Sequence, residues 1–443
     1  MFFSIVLFAI CKILWYDIER DIIKSPKSDV PCERRPLFML QIALLGFGVV
    51  GSGTAEVLAK NQKQITNYCG DEINVKYILD LRDFPDHPLG NRVVRDINVI
   101  LNDPEVVLVA EMMGGAHPAY DFTYAALKAG KHVVTSNKEV VATFGVELLE
   151  LARQNQVSYL FEASVGGGIP IIRPMQTDLA SNEILSVSGI LNGTTNFILT
   201  KMKNEGAAFA DALKLAQEKG YAEANPTADV EGIDAARKIV ILAALAFGKL
   251  LDPNKISATG ITGITEDHTA LADKLGGAVK LIGHTECVNG QVLALVSPFL
   301  VLSSNPISHV DDVYNGILVD TNMLGRALFY GAGAGKLPTA SAIVADMLDI
   351  LSGRSQGRRL PRWTVATDDE IANADALCCR RAYVFEGCPR CEAKAKTALA
   401  TEDSVWLSER KFAVIGSKMT ATDANAAIEA TGLSPILSLP VLE

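Results

Sequence analysis

The stretch LQIALLGFGVVG, residues 40–51, decides the fold of the first part of this chain. Its first half is a largely apolar run, which is typical of a buried parallel strand. Its second half has the spacing GxGxxG, and an amphipathic segment at residues 53–61 is predicted to be helical. In that context the first glycine permits a tight turn, the second lets the backbone approach a pyrophosphate, and the third allows close helix–strand packing. The stretch therefore predicts a Rossmann-type dinucleotide-binding domain.

The residues predicted to contact the dinucleotide in this turn are Gly46, Phe47, Gly48, Val49, Val50 and Gly51. The next predicted strand, Asn74–Leu79, ends at Asp80, and Arg82 follows two residues later. An acid at this point binds a ribose 2′-hydroxyl and favours NAD, whereas an arginine accepts a 2′-phosphate and favours NADP. Since both residue types are present, the sequence leaves NAD and NADP open, with a preference for NADP through Arg82.

Composition limits the class of protein. A chain of 443 residues predicts two or three domains, and 49% hydrophobic with 21% charged residues is typical of a globular core. A net charge of −10 argues against a nucleic-acid-binding surface. Eight cysteines in a chain of this length do not indicate a secreted disulfide scaffold. We therefore expect reduced thiols and a cytoplasmic protein.

The first 38 residues are interpreted as an upstream extension or an incorrectly assigned start, with Met39 as the natural start. Residues 1–16 are apolar but are interrupted by Lys12, and they fall short of the ~20 residues that a membrane-spanning helix needs. They also lack the basic start and the cleavage site of a signal peptide. No membrane association is expected, and a weak membrane anchor is the alternative.

Polar residues follow two later strands of the predicted sheet. Residues 106–110 form a buried strand that Glu111 closes, and the strand His132–Thr135 is followed by Lys138 three residues later. Ligands of open α/β sheets bind at the carboxyl ends of the strands. Lys138 is therefore a candidate for the region between nicotinamide and substrate, with a surface lysine as the alternative.

A second polar stretch, GYAEANPTADVEGIDAARK at residues 220–238, leads directly into an apolar helix. Asp234 and Lys238 are four residues apart, so a helix puts them side by side on one face. Gly220 and Pro226 break regular structure and place Glu223 on a loop at the entrance of that helix. We interpret this as a place where a small polar molecule is held and a proton is moved. The alternative is a solvated helix start with an ordinary ion pair.

Two further turns carry candidate ligands. Three consecutive glycines at residues 166–168 free the backbone for carbonyl coordination of a hard cation. The segment NGTTN at residues 192–196 opens a helix, where Thr194 either caps the helix or contacts substrate, capping being the expected use.

Taken together, the motifs resemble those of homoserine dehydrogenases, and they occur in that family's order between residues 40 and 350. The matching pieces are GFGVVGSG, MMGG, TSNK, EASVGGGIPII, GILNGTTNFIL, GYAEANPTADVEGIDAARK and GAGAGKLPTASAIVAD. The resemblance implies NAD(P)-dependent, reversible oxidation of L-homoserine to L-aspartate 4-semialdehyde, in threonine, methionine and isoleucine biosynthesis. Two alternatives stay open: a dinucleotide sensor without catalysis, and a dehydrogenase of the same architecture for another small polar substrate.

The resemblance also implies residue roles. Lys238 corresponds to the acid–base lysine, Asp234 to its partner, and Lys138 to a catalytic lysine between cofactor and substrate. Gly333 is implied to lie near the cofactor. The expected substrate contacts are Glu223, Asp229, Asp234 and Thr194. The expected ligands of a structural sodium ion are Glu162, Val165, Gly167 and Ile169, the last three through their carbonyl oxygens.

The expected fold class is α/β. A nucleotide-binding domain (residues 39–150) precedes an α+β substrate-binding and dimerisation domain (151–318), and residues 319–352 return to complete the nucleotide domain. The family implies a homodimer or homotetramer. Residues 353–443 are expected to form a basic linker and a divergent ACT-like regulatory segment whose first helix is shortened or replaced by residues 388–397, which puts threonine feedback control in question. Four late cysteines leave a zinc site as an alternative, although adjacent cysteines make poor tetrahedral partners: Cys378, Cys379, Cys388 and Cys391.

Overall fold

The computed structural model describes residues 39–353 and 362–443. The predicted extension over residues 1–38, and most of the basic linker, lie outside the described residues. Among the residues that are described, no helix is both long and apolar enough to cross a membrane.

A six-stranded parallel sheet forms the first part of the described chain. Its strands are β1 (Met39–Leu45), β2 (Glu72–Leu79), β3 (Val93–Val94), β4 (Val106–Glu111), β5 (His132–Thr135) and β6 (Tyr159–Leu160). The helices in this part are α1 (Val49–Lys60), α2 (Gln62–Cys69), α3 (Ile97–Leu101), α4 (Ala119–Lys128) and α5 (Lys138–Gln154). The strand order is β3-β2-β1-β4-β5-β6. This is the doubly wound order of the predicted Rossmann-type domain, and it opens a ligand crevice between β1 and β4.

Close packing explains the glycines of the β1–α1 turn. Gly46 has a φ of +86°, and a Cβ on Gly51 would lie 2.1 Å from the Gly46 carbonyl oxygen. Helix α1 begins at Val49, four residues before the predicted start at residue 53. Glycine is a weak helix former, but a Cβ on Gly53 would lie 2.8 Å from the carbonyl oxygen of Lys336. Tertiary packing against this later segment therefore outweighs the local propensity.

The second part of the chain is built on a ten-stranded mixed sheet. Its strands are β7 (Ile184–Ile190), β9 (Ser257–Ala258), β10 (Gly277–Val288), β11 (Gln291–Leu302), β12 (Tyr314–Thr321), β13 (Arg326–Ala332), β15 (Arg381–Glu386), β16 (Ser404–Trp406), β17 (Lys411–Ile415) and β18 (Leu437–Leu442). Strands β8 (Lys249–Leu250) and β14 (Thr364–Val365) form a separate pair. The helices are α6 (Ile172–Gln176), α7 (Gly193–Glu205), α8 (Phe209–Glu218), α9 (Thr227–Val230), α10 (Ile233–Phe247), α11 (Glu266–Lys274), α12 (Lys336–Leu351), α13 (Pro389–Ala398) and α14 (Ala421–Glu429).

Helix α10 lies at the centre of this second part. Its residues 239–244 are at most 1% exposed, as expected for a segment that is apolar on every side of the helix. Burial of each large aliphatic side chain contributes roughly 1.5–3 kcal/mol, so this segment fixes the helix firmly. A Cβ on Gly283 of β10 would lie 3.3 Å from the Ile239 Cβ, which shows how closely the helix packs on the sheet. The charged residues at the start of α10 are therefore held on a rigid support.

Helix α12 returns to the first part of the chain. It packs against α1, where Lys336 donates to the Glu56 carboxylate at 2.8 Å and Ala340 meets Gly53. This packing concerns Lys336–Leu351 only, because β12 and β13, which cover most of the predicted return segment before residue 333, pair within the sheet of the second part. The domain boundaries, including the return segment over residues 319–352, stay predictions.

The C-terminal segment has the secondary-structure order βαββαβ, from β15 to β18. Its first helix, α13, spans ten residues at the position of the expected segment 388–397. The fourth strand, β18, was not predicted. It pairs with β15 on one side and with β11 on the other, so the C-terminal segment continues the sheet of the second part. Regulation by this segment stays a prediction.

Candidate active site

Asp234 bridges two lysines. Its Oδ2 atom lies 2.6 Å from the Nζ of Lys238, and its Oδ1 atom lies 2.8 Å from the Nζ of Lys138. Burial alone raises the pKa of Asp234, but the two lysine charges outweigh burial and hold that pKa well below its usual range. The predicted i, i+4 pair is therefore present, and Lys138 joins it from α5.

Lys238 is buried and held by two acceptors. Besides the Asp234 carboxylate, its Nζ donates to the carbonyl oxygen of Leu191 at 2.7 Å. Burial lowers the pKa of Lys238, and the Asp234 carboxylate opposes this shift. The side chain of Lys138 is 37% exposed, against 10% for Lys238. Lys138 thus borders the open side of the site, and Lys238 its closed side.

An asparagine that the sequence analysis did not select connects the acids. The Nδ2 of Asn192 donates to Asp229 at 2.7 Å and to Asp234 at 3.0 Å. Its Oδ1 accepts the amide of Thr195 and caps α7. Burial raises the pKa of Asp229, and the hydrogen bond from Asn192 opposes this shift. The position of Asn192 directly after a buried strand was the signal that could have identified it.

The local sequence explains why these groups meet. Gly232 has a φ of +80° and starts α10, so Asp234 lies in the first turn, where the helix dipole favours a negative charge. Lys138 is the first residue of α5, directly after the carboxyl end of β5. Asn192 follows β7. Strand ends and helix starts from both parts of the chain therefore converge on Asp234.

Two predicted substrate contacts, Thr194 and Glu223, are connected to each other through α7 and the turn that follows α8. Thr194 does not cap α7, because its hydroxyl donates to the carbonyl oxygen of Tyr221 at 2.7 Å. It thus ties α7 to the turn that carries Glu223. Glu223 is exposed, and its carbonyl oxygen accepts from Gln217 at 3.2 Å. Their roles toward substrate stay predictions.

The glycine turn and Arg82 lie together. The carboxylate of Asp80 accepts a hydrogen bond from the amide of Phe47 at 2.7 Å. Arg82 donates to the same carboxylate through Nε at 3.0 Å and Nη2 at 2.9 Å. The Nη2 atom also lies 3.9 Å from the position of a Cβ on Gly48. A guanidinium therefore borders the turn that would hold the dinucleotide, with 62% of its side chain exposed.

The loop predicted to bind sodium is buried, but its glutamate has another task. The carboxylate of Glu162 accepts the amides of Ile171, Ile172 and Arg173 at 2.6–2.8 Å and so holds the start of α6. The sodium site formed by Glu162 with the carbonyls of Val165, Gly167 and Ile169 stays a prediction.

Gly333 packs against the same loop. A Cβ on Gly167 would lie 2.4 Å from the Gly333 carbonyl oxygen, and a Cβ on Gly333 would lie 2.0 Å from the Asn315 amide. Within residues 39–353 and 362–443, no group of three or more His, Cys, Asp or Glu side chains is placed to hold a metal ion. The four late cysteines therefore do not come together as a metal-binding group among these residues, and the zinc alternative gains no support.

Glu111 is a buried acid at the end of β4, and sequence reasoning did not assign it a role. Its carboxylate accepts the hydroxyl of Thr135 at 2.6 Å and the amide of Met113 at 2.7 Å. Asn137, which caps α5 before Lys138, donates to the Gly115 carbonyl oxygen at 2.8 Å. Burial raises the pKa of Glu111 to about 7. These contacts fix the loop and the helix start that present Lys138.

Comparison with known proteins identifies the arrangement. Residues 46–162 match the family described as homoserine dehydrogenase, NAD binding domain, and residues 170–348 match homoserine dehydrogenase. The homoserine dehydrogenase of Synechocystis sp. is 43% identical over 317 residues, which cover 70% of this chain and 73% of that one. The chain belongs to the homoserine dehydrogenase family.

Solved homoserine dehydrogenases have the same architecture. The crystal structure of the Thiobacillus denitrificans enzyme matches with a TM-score of 0.82 and 34% identity, over 92% of this chain and 99% of that one. A hyperthermophilic archaeal homoserine dehydrogenase in complex with NADPH matches with a TM-score of 0.60 and 27% identity, over 70% of this chain and 97% of that one.

As a member of this family, the chain is an NAD(P)-dependent oxidoreductase that interconverts L-homoserine and L-aspartate 4-semialdehyde. The family assignment disfavours the two alternatives, a sensor without catalysis and a dehydrogenase for another substrate.

Proposed function

We propose that Lys238 is the acid–base group of the homoserine reaction, with Asp234 and Lys138 as its charged partners. The observation that carries this proposal is the bridge Lys238–Asp234–Lys138 at the carboxyl ends of β5 and β7, in which Lys238 and Asp234 are buried. Oxidation of an alcohol by hydride loss requires removal of the hydroxyl proton, and a positioned amine accepts it.

The contacts of Lys238 suit both directions of the reaction. A neutral amine has two N–H donors and one lone pair. Its two donors are satisfied by Leu191 and Asp234, which leaves the lone pair for the hydroxyl proton of homoserine. A protonated amine makes the same two bonds and has a third N–H to give to the aldehyde oxygen. One geometry therefore serves oxidation and reduction.

The residues of the glycine turn fit a dinucleotide. There is no room for a side chain at Gly51 between β1 and α1. Helix α1 begins at this turn, and the first amides of a helix have no intrahelical acceptor and can bind a pyrophosphate. Bound NAD(P)+ supplies the hydride acceptor for homoserine oxidation. We propose NADP as the preferred form, because Arg82 is exposed beside the turn while both oxygens of Asp80 already have donors.

Replacing Arg82 with alanine should lower the ratio of kcat/KM for NADP+ to that for NAD+ by about 10- to 100-fold, since a charge-assisted contact contributes about 1.5–3 kcal/mol. Steady-state rates with each coenzyme measure this ratio. The control is Lys60→Ala, an exposed basic residue at the far end of α1. An unchanged ratio in Arg82→Ala would disprove the assignment.

Homoserine carries an ammonium and a carboxylate besides its hydroxyl, so the site must supply both charges. We propose that Glu223 binds the ammonium, because it is an exposed acid on the turn that Thr194 ties to α7. Lys138, on the open side of the site, is available to the oxygen atoms of the substrate.

Glu223→Ala should raise the KM for homoserine by about tenfold or more while kcat changes little, as expected for loss of a charged hydrogen bond to the ground state. Glu218→Ala, which removes an exposed acid from the nearby helix α8, is the matched control. A half-saturation concentration equal to that of the unaltered enzyme would refute this role.

The direct test of the reaction is homoserine-dependent formation of NADPH, measured beside formation of NADH. Formation of neither coenzyme product at alkaline pH would overturn the proposed activity of this site. Faster formation of NADH than of NADPH would leave the acid–base proposal intact and overturn the preference for NADP.

We also propose a homodimer formed through β12 and β13. Several large apolar side chains in and beside these strands are at least 38% exposed: Met323, Leu324, Leu328 and Tyr330. Native mass spectrometry distinguishes a dimer from a homotetramer, and a monomer would contradict the proposal.

A cytoplasmic location is proposed from the composition, and cell fractionation tests it.

A further inference from the structure

The feature that the dehydrogenase reaction leaves unexplained is the sequence Cys-Pro-Arg-Cys at residues 388–391. Cys388 is the N-cap residue of α13, and Pro389 occupies the first helical position. The Sγ atoms of Cys388 and Cys391 lie 3.4 Å apart. The pair lies in the C-terminal segment, on a different helix from the residues around Asp234. Two thiols are therefore held against each other across one helical turn.

The two cysteines differ in exposure, as expected for a pair in which one thiol attacks first and the other resolves the mixed disulfide. Cys388 is exposed, and Cys391 is half-buried against the aromatic cluster of Phe385 and Phe412. A Cβ on Gly387 would lie 2.8 Å from the Cβ of Cys391, so only glycine permits the chain to turn this closely into the helix. The backbone amide and thiol of Cys391 lower the pKa of Cys388, which raises the fraction of thiolate at neutral pH.

The neighbours of Cys391 fix the helix on which it stands. The carboxylate of Glu392 accepts the Ser404 hydroxyl at 2.6 Å and the Trp406 indole N–H at 2.9 Å. These bonds hold the first turn of α13 against β16. The second sulfur therefore stays in place while the first one reacts.

We propose that Cys388 and Cys391 are a redox-active dithiol that exchanges with an external disulfide and closes into an intramolecular disulfide. The thiolate of Cys388 attacks one sulfur of the external disulfide, and a thiolate leaves. Cys391 then attacks the Cys388 sulfur of the mixed disulfide, and the second thiolate leaves. One protein disulfide and two small thiols result, so the protein loses two electrons and two protons and the external disulfide gains them.

The experiment uses the full-length enzyme and glutathione disulfide as the probe. After incubation, acid quench and alkylation, trypsin cleaves after Arg381, Arg390 and Lys394 without reductant. Because Arg390 stands between the two cysteines, an intramolecular disulfide leaves the peptides 382–390 and 391–394 linked, whereas the dithiol releases them separately. We expect the linked pair as the main oxidised product. Alkylated Cys388 and Cys391 in separate peptides under the same conditions would overturn the proposal.

Single substitutions assign the order of attack. In Cys391→Ser the second step is blocked, so glutathione should accumulate on Cys388 by about tenfold over Cys287, an exposed cysteine on β10 that serves as the internal control. In Cys388→Ser no intramolecular disulfide forms. Equal glutathione loading of Cys388 and Cys287 would contradict a reactive pair. Both variants should keep their homoserine turnover, which confirms that they are folded.

Discussion

Replacing Lys238 with alanine is expected to lower kcat for homoserine oxidation by about 10²- to 10⁴-fold, the usual effect of losing a general acid–base group. The protein should stay folded, because Asp234 keeps its ion pair with Lys138. Initial rates at saturating homoserine measure the effect. Lys214→Ala, an exposed lysine on α8, is the control and should keep full activity. More than about a tenth of the original turnover in Lys238→Ala would rule out this role.

The same variant should lose the pH dependence that Lys238 imposes. Burial lowers the pKa of Lys238, so the neutral base is available below the ordinary lysine value of about 10.4. Homoserine oxidation should therefore rise with pH and level off below that value. Aldehyde reduction needs the protonated amine and should fall over the same range. A profile that is identical in the parent enzyme and in Lys238→Ala would assign the ionisation to another group.

Asp234→Asn is expected to have the second large effect, on catalysis and on stability together. The substitution keeps the shape of the side chain but leaves the amines of Lys138 and Lys238 without a shared counter-charge. Breaking a buried ion pair costs about 3–5 kcal/mol, and we expect the free energy of unfolding to fall by about 3 kcal/mol. We expect kcat/KM for homoserine to fall by about 10²-fold, or about 2.7 kcal/mol in transition-state stabilisation. Urea unfolding and steady-state kinetics measure the two quantities.

In Asp234→Asn, the pH dependence of homoserine oxidation and the pH dependence of stability should each change in a defined direction. The carboxylate raises the pKa of Lys238, so its loss should shift the alkaline limb of oxidation to lower pH. The pKa of Asp234 in the folded protein lies below its unfolded value of about 3.9. Its stabilising effect is therefore complete above that pH and is lost on acidification. If the oxidation profile of Asp234→Asn rose at the same pH as that of the parent enzyme, and its stability at neutral pH were unchanged, the ion-pair bridge through Asp234 would be contradicted.

Much of the dehydrogenase fold could be predicted from local patterns. The turn Gly46–Gly51 follows a buried strand, and the structure has the expected parallel sheet around it. The spacing of Asp234 and Lys238 predicted their contact, because residues four apart meet on any α-helix. The predicted start and end positions of helices and strands were less accurate. Helix α1 begins at Val49 and tolerates Gly53 because that glycine packs against α12, which lies nearly 300 residues further along the chain.

The sequence by itself determined the dinucleotide turn, the acid–lysine pair and, through its motifs, the family. Only the tertiary structure decided that Lys138 of the first part shares Asp234 with Lys238, that Asn192 joins Asp229 to Asp234, and that β18 pairs with β11. The physical reason is that helix and strand periodicity fix neighbours a few residues apart. Contacts between distant residues depend on how complete elements pack, and no local pattern encodes which partner a side chain will meet.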